Sequence, residues 1–332
     1  MTMVEIVRSS VLPPVPNAKA GSTWKMEEKR IQEKIRSTQA AFDTKQLEKR
    51  LREDPVLRRR LQIFGFMGLL VMAASLGCFM QWLARFVSKR PENRTGSPQI
   101  PQWGFREVAR LVLVLVLMSH LVFLAEWLLI HTFQPKQTDN HLLALGNTLL
   151  IDLATFFGAC RLFLRKRPPG SLQWEKVGRD LRFGVASYLT FLPVLILGAI
   201  VAALVMQVLK LDPTPQPVFT IYFTEDRSSV VWWLLLLVTV AGPVAEELFF
   251  RGVLYGWLRA RIGVWKGLGI TAFLFAAMHG NLTVFLPIFG LGLLFGWVYE
   301  QTGSLAAPIG IHVLHNGGML LVASFLKSVL TS

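Results

Sequence analysis

Residues 229–258 read SVVWWLLLLVTVAGPVAEELFFRGVLYGWL. The stretch carries three formal charges, Glu246, Glu247 and Arg251, in an otherwise apolar run. It exceeds the roughly 20 apolar residues that a helix needs to cross the hydrocarbon core of a bilayer. Ionisable side chains at that depth are costly to insert and by default mark a functional site. Glu247 and Arg251 are four residues apart, so on a helix they share a face and can pair. Glu246 is rotated from Glu247 by roughly 100° and is free for a different partner. Pro243 has no N–H for the carbonyl of Thr239, which predicts a kink just before the carboxylates and room for a polar cavity there. Trp232 and Trp233, near the start of the run, read as interfacial anchors.

Seven further apolar stretches lie on either side, over 61–87, 107–133, 141–164, 183–209, 264–281, 283–300 and 304–328. Together they predict an all-α fold, a polytopic transmembrane helical bundle of about eight membrane segments. The composition agrees: 52% of the 332 residues are hydrophobic, 17% are charged, and the mean hydropathy is +0.45. Soluble domains average about 25% charged residues. The last three segments are joined by tight turns, near Asn281 and at Gln301–Thr302–Gly303. The stretch 283–300 contains Gly290, Gly292 and Gly296, small residues that let helices approach closely in lipid. Three regions follow: a basic, partly disordered and partly helical extension over 1–60, accessory helices over 61–180, and a core over 181–332.

The net charge of +14 first suggests nucleic acid, but its distribution excludes that reading. Basic residues concentrate in the first 60 positions and in short loops, as in a protein that holds its cytoplasmic side against anionic lipid, and no nucleic-acid-binding motif accompanies them. The loops at 88–106, 165–182 and 259–266 are basic and are expected in the cytoplasm. With eight full crossings the N-terminal extension then falls on the opposite side; otherwise the first apolar segment does not fully span. Residues 1–22 read as a disordered tail. Residues 23–60 read as a helical juxtamembrane extension that is either simply solvated or a docking surface. Cys78 and Cys160 sit in apolar runs without metal or disulfide spacing. The first apolar run begins only near Leu61, so no cleavable signal peptide is expected.

The chemistry-bearing residues converge on the late segments. His279 lies near the end of the sixth segment, four residues after Phe275. In the last segment His312 and Asn316 are four apart, with His315 one step round the helix. A carboxylate and an imidazole can hold a water and take its proton as it attacks a carbonyl carbon. A second imidazole and an amide can donate to the oxyanion that forms. Glu246, His279, His312 and Asn316 supply that inventory. Glu246, His279 and His312 could equally hold zinc, although the sequence contains no H-E-x-x-H.

The double Glu followed by Arg251, the Phe275–His279 pair and the His312–Asn316 pair resemble, in order, the three motifs of the CPBP family. These are the type II CAAX prenyl endopeptidases and their bacterial abortive-infection-like relatives. The resemblance covers about 185–328, and the stretch EELFFRG looks closer to the bacterial branch. It implies an intramembrane endopeptidase of a bacterial inner membrane, acting on a peptide or membrane-protein substrate, with CAAX-type C-terminal processing as one outcome. Glu246 would be the general base and His279 its partner in orienting water. His312 and Asn316 would form the oxyanion site, and Phe275 a wall of the cavity. Glu247 and Arg251 would be a structural ion pair, with Glu247 also near the reacting centre. The family has been described both as metalloproteases and as glutamate-dependent proteases; the Asn donor favours the second, without a cofactor.

Plainer readings stand beside these. His315 reads as a satisfied core histidine. Glu126 and Asp152 read as polar glue between helices or as the lining of a substrate path. The rival for the whole chain is a non-catalytic binding or immunity protein of the same fold. A transporter is disfavoured, because the polar residues gather in one third of the chain and no repeat is present.

Overall fold

The computed structural model of the chain describes residues 51–87, 103–133, 140–165, 176–211 and 216–331. The tail expected over 1–22 and most of the extension expected over 23–60 lie outside these residues. Among the described residues every regular element is a helix. They are α1 (Pro55–Val87), α2 (Phe105–Phe133), α3 (Asn140–Arg165), α4 (Val177–Val208), α5 (Pro217–Thr224), α6 (Ser228–Ile262), α7 (Val264–Met278), α8 (Leu282–Thr302) and α9 (Ala306–Thr331). Seven of them, all but α5 and α7, are long and apolar enough to cross a membrane. The protein is a polytopic integral membrane protein.

Two differences from the sequence reading concern length. The segment expected over 264–281 is a helix of 15 residues, about 22 Å at 1.5 Å per residue, which is short of a hydrocarbon core of about 30 Å. It stops at His279, and Gly280 follows at φ 58°, in the left-handed region that a glycine adopts without strain. The short helix α5 was not expected. It starts with Pro217, whose missing N–H costs nothing at a first helical position.

Local chemistry sets several other ends. Asp54 Oδ1 accepts the N–H groups of Val56 and Leu57 at 2.8 and 2.9 Å, with Pro55 opening α1. Asn281 accepts from the N–H of Thr283 at 3.0 Å and opens α8. Gly303, at φ 67°, closes it by donating its N–H to Tyr299 O at 2.8 Å. The two turns anticipated at these residues are present.

Helix α6 is the centre of the molecule. Helix α3 lies along it, α9 crosses it over 237–247, and α7 and α8 pack on its C-terminal half. Helix α4 braces the far side of α8 and carries α1 and α9, and α2 rests on α3. The main core gathers Phe249, Phe250 and Val253 of α6, Phe275 of α7, Phe295 and Val298 of α8 and Ile311 of α9. Large apolar side chains such as Leu69, Leu113, Phe123 and Leu197 face outward, as a lipid-facing surface requires. Trp232 and Trp233 are also exposed.

The glycines of α8 set the spacing of this core. A Cβ at Gly292 would lie 3.0 Å from Ala272 Cα and 3.1 Å from Ala272 Cβ, so α7 and α8 touch there almost backbone to backbone. Overpacking at such a point typically costs about 1–3 kcal/mol. Gly292→Leu is therefore expected to lower the thermal midpoint in detergent by several degrees, and Gly292→Ala by less. Equal midpoints for wild type and Gly292→Leu would show that α7 is free to move aside.

The end of the bundle away from the 259–266 loop is tied by a buried carboxylate. Glu225 accepts from Arg227 Nε at 2.9 Å and Nη2 at 2.6 Å, from the N–H of Arg227 at 2.8 Å, and from His141 Nδ1 of α3 at 2.8 Å. Lys327 of α9 donates to Tyr222 O at 2.7 Å beside it. The hydrogen bonds from Arg227, above all, hold the Glu225 carboxyl well below the usual carboxylate range. A depressed folded value stabilises above the unfolded value, near 4.3, and that contribution is lost as pH falls through the folded one. Glu225→Gln is expected to unfold more readily than wild type at pH 7, with the gap closing progressively below about pH 4. Thermal unfolding across pH checks this, and a gap that does not change with pH would contradict it.

Candidate active site

The site forms where α6 departs from α-helical geometry. Leu237–Ala241 and Leu248–Tyr255 are π-helical, and the α-helical turn Gly242–Glu247 between them carries both glutamates. The departure has a cause in Pro243. The N–H of Gly242 reaches back five residues to Leu237 O. In that register the carbonyl left without an intrahelical donor belongs to Val238, not to Thr239 as an α-helical reading implies. Asn316 Nδ2, from α9, donates to Val238 O at 2.8 Å.

The two glutamates have different surroundings. Glu247 is fully buried, and its Oε1 accepts from Arg251 Nη1 at 2.8 Å and from His312 Nδ1 at 3.0 Å. Arg251 is 1% exposed; its Nη2 donates to Gly292 O at 3.0 Å, and its guanidinium lies 4.6 Å from the Phe275 ring centroid and 5.2 Å from that of Phe295. Apolar rings thus enclose a cation whose donors are aimed at a carboxylate and a backbone carbonyl. The anticipated Glu247–Arg251 pair is present. It also orients His312, a partner that the four-residue spacing did not reveal.

The side chain of Glu246 keeps 31% of its exposure, and its Oε2 lies 3.9 Å from His312 Nε2, too far for a direct hydrogen bond. Among the described residues Glu246 Oε2 and Glu247 Oε2 have no hydrogen-bond partner. His312 thus stands between two carboxylates, with Nδ1 committed to Glu247 and Nε2 turned toward Glu246. Asp152 of α3 reaches the same place: the Cβ position of Gly242 is 3.6 Å from Asp152 Oδ2 and 3.8 Å from Glu246 Oε1. Asp152 thus brings a carboxylate of α3 beside that of Glu246. Glu126, by contrast, accepts from Asn147 Nδ2 of α3 at 2.6 Å and does join α2 to α3.

His279 stands at the end of α7. Its Nδ1 donates to Phe275 O at 2.8 Å, which leaves Nε2 outward. Its ring lies 5.1 Å from that of Phe275, and the His312 ring lies 5.8 Å from the same phenyl. The Phe275 ring thus meets both imidazoles edge-on. Among the described residues His279 makes no hydrogen bond or ion pair with Glu246 or His312. Catalytic zinc takes three protein ligands, and among the described residues no three His, Cys, Asp or Glu side chains stand close enough to hold a metal ion. The residues weighed as ligands, Glu246, His279 and His312, do not assemble into such a group, so the arrangement does not fit a resident metal. His315 meets Tyr188 OH of α4 at 3.0 Å, as a satisfied core histidine does. Sequence reasoning missed the carbonyls of Val238 and Gly292. For the first, Pro243 was the signal, read one residue out of register.

Residues 228–318 match the family model of the Rce1-like type II CAAX prenyl endopeptidases. That stretch is similar to an Rce1-like domain. It runs from the start of α6 into the first half of α9 and holds every residue singled out for the site, from Glu246 to Asn316. Over 96 residues the chain is 38% identical to the membrane-embedded CAAX protease MroQ of Staphylococcus aureus, covering 26% of this chain and 38% of that protein. It is 25% identical over 91 residues to the putative membrane peptidase YdiL of Bacillus subtilis, covering 27% and 37%. An uncharacterized 24.3 kDa protein of Escherichia coli is 30% identical over 103 residues, covering 30% and 48%. The matches thus span between about two fifths and one half of the relatives' lengths. No solved structure matches the chain. Helices α1–α4 lie outside the matched stretch, and from them Asp152 and Tyr188 reach its polar residues.

Proposed function

We propose that the protein is an intramembrane endopeptidase in which Glu246 activates water without a metal ion. The observation that carries this reading is the division of labour between adjacent glutamates. Glu247 is buried and spent on holding Arg251 and His312, whereas Glu246 keeps 31% of its exposure and only faces His312 Nε2, at 3.9 Å. Water lying against Glu246 gives its proton to that carboxylate as its oxygen attacks the peptide carbonyl carbon. The carbonyl electron pair moves onto oxygen. His312, held through Nδ1 by Glu247, presents Nε2 to the oxyanion, and the Asn316 amide supplies a donor. When the C–N bond breaks, the proton on Glu246 passes to the leaving nitrogen.

The names of the matched family and of MroQ favour C-terminal peptides of the CAAX type as substrates, and the bacterial relatives favour a bacterial plasma membrane. The test is cleavage of a peptide library that includes prenylated C-terminal peptides, by the full chain in detergent or liposomes, with and without a chelator. Cleavage that persists under chelation supports glutamate-activated water. Cleavage lost to the chelator and restored by zinc overturns that mechanism. No cleavage of any peptide overturns the peptidase reading in favour of a binding protein.

A further inference from the structure

Pro243 has no hydrogen-bonding side chain, yet it bears on what the Asn316 amide binds. Helix α6 is in π register over Leu237–Ala241, and the N–H of Gly242 is committed to Leu237 O. The next residue able to serve Val238 O from within the helix is Pro243, which has no N–H. A carbonyl so orphaned inside a membrane bundle needs an outside donor. That donor is Asn316 Nδ2, at 2.8 Å from a residue 78 positions away. Asn316 lies one turn after His312 on the same face of α9, and His312 is fixed by Glu247 at 3.0 Å. A primary amide has two N–H groups in one plane. Giving one to Val238 fixes the amide and leaves the second for another acceptor.

We infer that Pro243 is a positioning residue: by lacking an N–H it reserves the Val238 carbonyl for Asn316 and so orients the amide next to the reacting carbonyl. Its effect on turnover rests on the peptidase reading; the structural tie does not. Substituting alanine at 243 supplies a competing donor. If α6 stays in π register, residue 243 serves Val238 O, and if α6 relaxes to α register, Gly242 does. Either way the amide is released.

The experiment is a double-mutant cycle on the full chain in detergent, read by thermal unfolding and by cleavage. Asn316→Ala is expected to lower the midpoint by several degrees in the wild-type background and by less than half as much in Pro243→Ala. Pro243→Ala is expected to reduce kcat about tenfold with KM unchanged, while its own midpoint holds. Equal losses for Asn316→Ala in both backgrounds would overturn the inference. Asn316→Asp provides a check that does not depend on how Pro243→Ala folds. A carboxylate of the same shape has no N–H for Val238 O, so it should destabilise as much as alanine does, and a wild-type midpoint for Asn316→Asp would also overturn the tie. Coupled midpoints in a chain that cleaves nothing would retain the tie and remove the peptidase. Additive midpoints in a chain that cleaves would do the reverse.

Discussion

Glu246→Gln is expected to reduce peptide cleavage by on the order of 10²- to 10⁴-fold while leaving the thermal midpoint within a degree or two of wild type. The asymmetry follows from the surroundings of the side chain. Glu246 makes no ion pair shorter than 3.9 Å, and 31% of its surface remains accessible. The amide therefore costs the fold little and leaves no buried charge behind. It also cannot take a proton from water, and Glu247, already bound to Arg251 and His312, is not free to do so in its place. Cleavage by purified wild type and Glu246→Gln, together with their melting curves, checks both halves. A folded Glu246→Gln that retains wild-type turnover would remove Glu246 from the chemistry.

The second large effect has the opposite signature. Arg251→Met is expected to destabilise the protein by about 3–5 kcal/mol, the usual cost of removing one partner from a buried ion pair. Glu247 is fully buried and Arg251 nearly so. Without the guanidinium the carboxylate would keep only His312, and Gly292 O would lose its donor. Arg251→Lys is expected to recover little, since one ammonium cannot span Glu247 and Gly292 O as the planar fork does. The double variant Glu247→Met with Arg251→Met should regain much of the lost stability, because both charges go together. It should not regain turnover, since His312 would no longer be held. Melting curves of the three variants in detergent test this, and a double variant no more stable than Arg251→Met alone would show that the enclosing rings, rather than the ion pair, set the cost.

The two effects together separate what each glutamate does, and the sequence reading went part of the way to that separation. Glu247 and Arg251 were legible as a pair because four residues on one helix face are neighbours whatever the rest of the fold does. That Glu246 points elsewhere follows from the same geometry. The membrane segments were legible from apolar length, and the turns at Asn281 and Gly303 from residues that favour them. The short α7 was overestimated, because an apolar run shows where a helix can lie in lipid but not where its hydrogen bonding stops.

By itself, then, the sequence determined a helical membrane bundle, the face each late polar residue occupies, and the order of the three motifs. The tertiary structure alone decided that His312 binds Glu247 and only faces Glu246, that Asn316 serves Val238, and that Asp152 arrives beside Glu246 from a helix outside the matched domain. The reason is physical. Spacing along a helix fixes relative rotation, whereas partners between helices depend on how closely the backbones approach. Here that approach is set by Gly292, where no Cβ holds α7 from α8, and by a proline that shifts the register of α6 and leaves a carbonyl for another helix to satisfy.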